Sequence, residues 1–289
     1  MHKYNKITRR SFLKSITTGI ITAGFPSSVL AEIITLKTHK PPDEYESHIK
    51  DYLHKMHDFN SHHKNDTRLN TTQRPLLKSS LGRFKRLQRT VGYGNFHLLN
   101  LDEAIQISKN YTKIGPFKRA ELNFLEMIFC ENASIYGFQG EKPMQHITDR
   151  INRKDVVKIS HTGNYLYKGP PLTTYNNIKK TMGDKVVLTS GIRSIVKQFL
   201  LFLDKAYSND GNLSLASRSL APPGYSFHSM GDFDVGQKGF GYDNFTERFT
   251  TTDVFKQLKQ LNYINLRYPS GNMLGVRFEP WHIKVYNKS

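Results

Sequence analysis

The sequence predicts an α+β fold, mostly helical in its first half and mixed in its last hundred residues. Three observations predict it. Apolar residues recur at helical spacing through 101–110 and 119–131, where Leu122, Leu125, Ile128 and Phe129 share one side. A short β-branched run at 185–189 reads as a strand. Further strand-like stretches flank the turn Pro269-Ser270-Gly271-Asn272 near the C-terminal end. Helices and strands in this irregular order do not make a doubly wound sheet.

The chain opens with Thr8-Arg9-Arg10-Ser11-Phe12-Leu13-Lys14, followed by a modestly apolar stretch at 16–25, then Pro26 and the small-residue ending Val29-Leu30-Ala31. That is the layout of a bacterial export signal, and it resembles the twin-arginine (Tat) class. The resemblance implies a signal peptide over 1–31 cleaved after Ala31, the Tat export machinery as a partner, and a periplasmic location. Apart from this leader, no apolar run approaches the ~18–20 residues that span a bilayer, so no stable membrane span is expected after cleavage.

Residues 32–95 read as a polar, basic arm with one amphipathic helix at 43–59, built on Tyr45, Ile49, Tyr52, Leu53 and Met56. The stretch 60–80 has almost no apolar content and reads as loop. Residues 96–184 read as a helical accessory region that covers or narrows a cleft, with helices at 101–110, 119–131, 142–152 and 172–182. From 185 to 289 the texture changes: a strand at 185–189, a helix at 194–207, a loop-rich stretch at 212–234 around Pro222-Pro223-Gly224, and a helix at 252–261. Strands are expected at 263–267, 274–278 and 281–286. There is no internal repeat.

Across 289 residues, 42 Lys+Arg outweigh 24 Asp+Glu for a formal charge of +18. Such a surface suits any polyanion. Lys3, Lys6, Arg9, Arg10 and Lys14 belong to the leader, and export argues against nucleic acid as the partner. The single cysteine, Cys130, excludes an intramolecular disulfide framework and a Cys-rich zinc cluster. Lying among apolar helix residues, it reads as core rather than nucleophile.

Three segments carry chemistry: Ser190-Gly191-Ile192-Arg193-Ser194 with Gln198, then Ser226-Phe227-His228 through Gly231, Asp232 and Asp234, then Glu279-Pro280-Trp281-His282. Two imidazoles and a carboxylate make a competent ligand set for catalytic Zn²⁺ with a fourth position left for water. A carboxylate off the metal must carry the proton, and arginine offers a planar fork for a substrate carboxylate. Together the segments resemble the zinc D-alanyl-D-alanine carboxypeptidases of the VanY/LD-carboxypeptidase kind, peptidase family M15. That family's pattern is SGxRSxxxQ, SxHxxGxAxD and ExWH. The first and third match fully. The second departs after Gly231, because Val235 stands where the family has its aspartate.

The resemblance covers about 185–286 and implies a zinc peptidase catalytic domain with a small antiparallel sheet and flanking helices. Its implied metal ligands are His228, Asp234 and His282, with Asp234 taken after a one-residue deletion and Asp232 the alternative. It further implies Glu279 as general base, Arg193 as a catalytic and substrate-binding group, and Ser226 and Gln198 on the substrate site. The expected cofactor is Zn²⁺, and the expected substrate is the terminal D-Ala–D-Ala bond of peptidoglycan stem peptides. An L,D bond, a crosslink, or non-catalytic binding to peptidoglycan are the alternatives. On a regular strand Glu279 and His282 face opposite ways, so the scheme requires Pro280 to break the strand. His54, His57, His62 and His63 read as a solvated helix face and loop. Ser194-Ile195-Val196-Lys197 is formally SxxK, but no KTG follows and Ser194 belongs to the zinc pattern.

Overall fold

The computed structural model describes residues 44–262 and 264–285; the twin-arginine leader and its Ala31 site lie outside the described residues. The described residues from His48 onward form one compact unit. Helix α1 (Glu44–His57) falls within the span expected at 43–59, although Leu53 of its apolar pattern is exposed. Its Tyr52 hydroxyl donates to Asn272 O at 2.8 Å and accepts from Gly275 N at 3.1 Å.

Helix α2 (Gln73–Val91) corrects the reading of 32–95 as an arm with one helix. Leu77, Leu81, Phe84 and Gln88 fall on one buried stripe. Lys78, Lys85, Arg86 and Arg89 stand between them, and this basic outer face masked the pattern. Arg83 is buried too, with Nε and Nη2 donating to Glu121 at 3.1 and 3.0 Å. Helix α3 (Leu101–Asn110) starts at a capping box in which Asn100 accepts from Glu103 N and Glu103 accepts from Asn100 N.

Helix α4 (Arg119–Cys130) buries Phe124, Leu125, Ile128 and Phe129. Cys130 is the next residue round and is exposed, not core. The helix expected at 142–152 is absent: the chain turns at 146–149, where Asp149 folds back to accept from His146 N at 3.0 Å.

Strands β1 (Val156–Lys158) and β2 (Tyr165–Tyr167) make an antiparallel hairpin. Helix α5 (Pro170–Met182), with proline at its start, leads into β3 (Val186–Ser190). Helix α6 (Ile195–Tyr207) is capped by Ser194, and α7 (Leu213–Ser219) by Asn212. Then come β4 (Phe233–Gln237), α8 (Asp253–Gln260), β5 (Asn265–Leu266) and β6 (His282–Lys284). The four-stranded sheet has the order β3-β4-β6-β5, antiparallel throughout. β4 begins inside the stretch read as loop. The strand expected at 274–278 is irregular chain, held by Gln139 N on Leu274 O and Arg277 N on Arg218 O, both 2.9 Å.

Two cores result. One joins α2, α4 and α6, with Phe84 packed against Phe117 and Phe199 at centroid distances of 5.5 and 6.1 Å. The other packs α5 and α8 on the sheet. Since α6 lies in the first core, the boundary expected at 184/185 is not a division of the packing.

Candidate metal centre and substrate cleft

Sheet register assembles the centre. Antiparallel pairing sets Asp234 of β4 opposite Ser190 of β3 on one side and His282 of β6 on the other. His228 arrives on the short helical turn Phe227–Ser229. One donor atom each from His228, Asp234 and His282 lies within 4.8 Å of the others, the one such cluster among the described residues. All three are buried. The histidines near the N-terminal helix form no such group; His54 and His63 stack edge to face at 5.3 Å.

The proton positions can be worked out. His228 Nδ1 is 2.8 Å from Gly191 O, which can only accept, so Nδ1 donates and Nε2 keeps its lone pair. That Nε2 lies 3.3 Å from Asp234 Oδ1, yet both atoms are buried without a hydrogen-bond partner. Two orphaned lone-pair atoms facing one another are costly. A cation between them satisfies both, so the residues fit a metal ion of the nitrogen-and-oxygen class. His282 Nδ1 is 3.7 Å from the same Asp234 oxygen, and its Nε2 is 3.2 Å from Asp232 Oδ2. Asp232 is also forked by Arg267, Nε at 2.6 Å and Nη2 at 3.1 Å. The two aspartates therefore differ: Asp234 faces the donor cluster, and Asp232 grips the back of His282. A carboxylate behind a metal-binding imidazole fixes its ring and tautomer.

Charges in the centre are strongly perturbed. Burial and then the Arg193 charge hold His228 below the usual imidazole range. Burial opposes charge on His282 as well, but the Asp232 and Glu279 carboxylates outweigh it and push the ring up to about 9. Burial opposes charge on Asp234, but its neighbours, His228 and Arg193 foremost, outweigh it and hold the carboxyl well below the ordinary range.

Glu279 and His282 do come together. β6 starts only at His282, and Pro280-Trp281 form a turn in which His282 N donates to Glu279 O at 3.2 Å. Glu279 Oε2 thereby stands 3.0 Å from His282 Nδ1. Arg193 Nε donates to Ser190 Oγ at 2.9 Å and Nη2 to Asp234 Oδ2 at 2.5 Å. Gln198 lines the same small cavity as Ser226, Glu279 and His282. Its Nε2 donates to Arg193 O (3.0 Å) and its Oε1 accepts from Gly224 N (2.8 Å), so it ties two loops together. Ser226 is buried beside Glu279, Tyr268 and His282 around a small cavity. The contacts from Asp232, Arg267 and Gly191 were not readable from spacing, because each partner is 35 or more residues away.

A cleft of ≈ 490 Å³ opens on this centre and is lined by Arg193, Asp234, Glu279 and Trp281. Phe59, Asn60 and His97 contribute to its wall, so the N-terminal half shapes the cleft. Burial and the Lys197 and Arg193 charges push His97 down to about 3.

Among solved structures, the LdcB LD-carboxypeptidase is 23% identical with TM-score 0.39, covering 47% of this chain and 69% of its own. The D,D-pentapeptidase VanY of a VanB-type vancomycin-resistance cassette, solved with Zn(II), is 22% identical with TM-score 0.39, covering 51% and 85%. The D,D-dipeptidase VanXYg, solved with a D-Ala-D-Ala phosphinate analogue, is 18% identical with TM-score 0.37, covering 47% and 60%. No curated protein sequence matches the chain. The family model VanY, described as D-alanyl-D-alanine carboxypeptidase, matches residues 172–288, a span that contains the three donors, Glu279 and Arg193. Over residues 172–288 the chain is thus similar to the VanY family of D-alanyl-D-alanine carboxypeptidases.

Proposed function

We propose that the protein is a zinc-dependent carboxypeptidase that removes the terminal D-alanine from peptidoglycan stem peptides. The observation that carries this reading is the pair of orphaned atoms, His228 Nε2 and Asp234 Oδ1, facing each other beside Glu279. His228, Asp234 and His282 would hold the zinc, which when bound supplies a Lewis acid for the scissile carbonyl and acidifies water. Holding it requires His282 to keep a lone pair on Nδ1 and its proton on Nε2, which Asp232 accepts. Glu279 then takes the proton of the attacking water on a carboxylate oxygen and gives it to the departing amine. Arg193 spends Nε on Ser190 and Nη2 on Asp234, leaving Nη1 for the substrate's terminal carboxylate. That contact would favour cutting at the chain end. The Ser226 hydroxyl sits on the small cavity beside Glu279, within reach of a substrate amide.

The twin-arginine leader supports export, with cleavage after Ala31 and a periplasmic site of action. Among the described residues no helix is long and apolar enough to cross a membrane. The test is release of D-alanine from a pentapeptide and from a tetrapeptide stem. Release from the pentapeptide alone, stopped by a chelator and by Glu279→Gln, is the expected result. Release from the tetrapeptide alone would change the assignment to an L,D-carboxypeptidase. Full activity in Glu279→Gln would refute the proton-transfer scheme.

A further inference from the structure

The cleft holds more positive charge than one terminal carboxylate uses. Helix α6 brings Lys197, Leu201 and Lys205 to it, four residues apart and therefore in one stripe. Arg277 lines the same cleft, its guanidinium set against the rings of Phe59 and Trp281, 4.7 and 4.9 Å from their centroids. Its Nη2 donates to Phe245 O at 3.0 Å, whereas its Nε is buried without a partner. Lys205 Nζ donates to the neutral Asn60 Oδ1 at 3.0 Å. Of the cleft's carboxylates, Asp234 pairs with Arg193 and Glu279 stands beside His282. Among the described residues no acid lies within ion-pair distance of Lys197, Lys205 or Arg277.

These cations feel their confinement. Burial and then Arg193 bring Lys197 down to about 8. Burial, Arg277 and Arg218 lower Lys205, and burial lowers Arg277. Like charges gathered on a concave, partly desolvated wall attract an anion. None of the three is a specified residue of the family pattern.

Their spacing sets what kind of anion. Arg193, paired with the ligand Asp234, stands one turn ahead of Lys197. From Lys197 to Lys205 the helix rises about 12 Å at ~1.5 Å per residue. An extended peptide covers that distance in three to four residues at ~3.3 Å each. We propose that Lys197, Lys205 and Arg277 form an anion subsite that recognises carboxylates carried two to three residues ahead of the scissile bond, so that acidic stem peptides are selected over amidated ones. The proposal rests on the carboxypeptidase reading above.

The test uses two pentapeptides that differ only in whether their second and third residues carry free carboxylates or amides. Calorimetric titration of each into zinc-loaded Glu279→Gln measures binding without turnover. The acidic peptide is expected to bind at least about tenfold tighter, the size of one charge-assisted hydrogen bond. The margin should shrink as salt is raised and fall toward one in Glu279→Gln proteins that also carry Lys197→Gln or Lys205→Gln, with thermal melts verifying that each is folded. Equal affinity for the two peptides overturns the subsite. Rates on the parent enzyme separate the two readings: cleavage of both peptides at equal kcat/KM keeps the peptidase and removes the subsite. Discrimination in binding with cleavage of neither keeps the subsite and removes the peptidase.

Discussion

Asp232 and Asp234 stand two residues apart, both buried, and their oxygens answer to different neighbours. Asp234 Oδ1 faces His228 Nε2, while Asp232 is held by Arg267 and holds His282. Replacing Asp234 with Asn is expected to abolish zinc binding in a competition titration. Asp232→Asn should leave a weaker site, by about 10–100-fold in metal affinity, because it removes an outer support rather than a ligand. It should also destabilise the fold, since Arg267 would lose its buried partner. Motif spacing left these aspartates as alternatives; the strand register that sets Asp234 beside His282 separates them. The reach of Glu279 was legible as a requirement on Pro280, and the turn at 280–281 meets it. The two main-chain groups that Gln198 ties together, Arg193 O and Gly224 N, were not legible, because a sequence marks a side chain as polar but not what occupies it.

At the scale of elements, α2 and β4 were the least legible. Helix α2 hides a narrow apolar stripe among lysines and arginines, and β4 is five residues of which Gly236 and Asp234 are poor strand formers. Both exist because of what packs on them. Phe84→Ala in α2 is expected to cost about 3–5 kcal/mol in urea denaturation, the usual loss for a fully buried aromatic. The link between β3 and α6 allows a finer experiment. A Cβ on Gly191 would collide with the Tyr165 carbonyl, which accepts from Ile192 N at 2.9 Å. Relief of that clash requires the backbone at 191 to shift, and its carbonyl is the group that accepts from His228 Nδ1. Gly191→Ala should therefore weaken zinc binding by about tenfold or more although residue 191 is not a ligand. Unchanged affinity in the titration would show that the Gly191 carbonyl does not orient the ring. By contrast α3, α4, α5, α6 and α8 formed where helices were expected, since apolar periodicity is the signal least altered by context.

Across the molecule, a buried ion pair ties the loop after α1 to α7. Arg218 donates to Asp66 at 2.7 and 3.1 Å and to the carbonyls of Phe59 and Ser61, beside residues that line the cleft. Burial raises the Asp66 pKa, but the combined pull of Arg218, His63 N and Asn212 holds it well below the ordinary carboxylate range. A carboxyl lowered in the folded state stabilises above its unfolded value near ~4 and loses that contribution as the pH falls further. Urea midpoints should thus decline from pH 5 to pH 3. Asp66→Asn should be less stable at pH 7 and decline less over that interval. Helix α6 carries a consequence of another kind. Its Phe199, Phe202 and Leu203 are covered by helices that precede residue 172, where the family match begins. A fragment cut at that boundary would bare this face to water, and size-exclusion chromatography of 172–289 against 48–289 should find the shorter piece aggregated. The edge of the matched segment runs through the middle of an oil drop, and the chain can be shortened there only at the expense of its own interior.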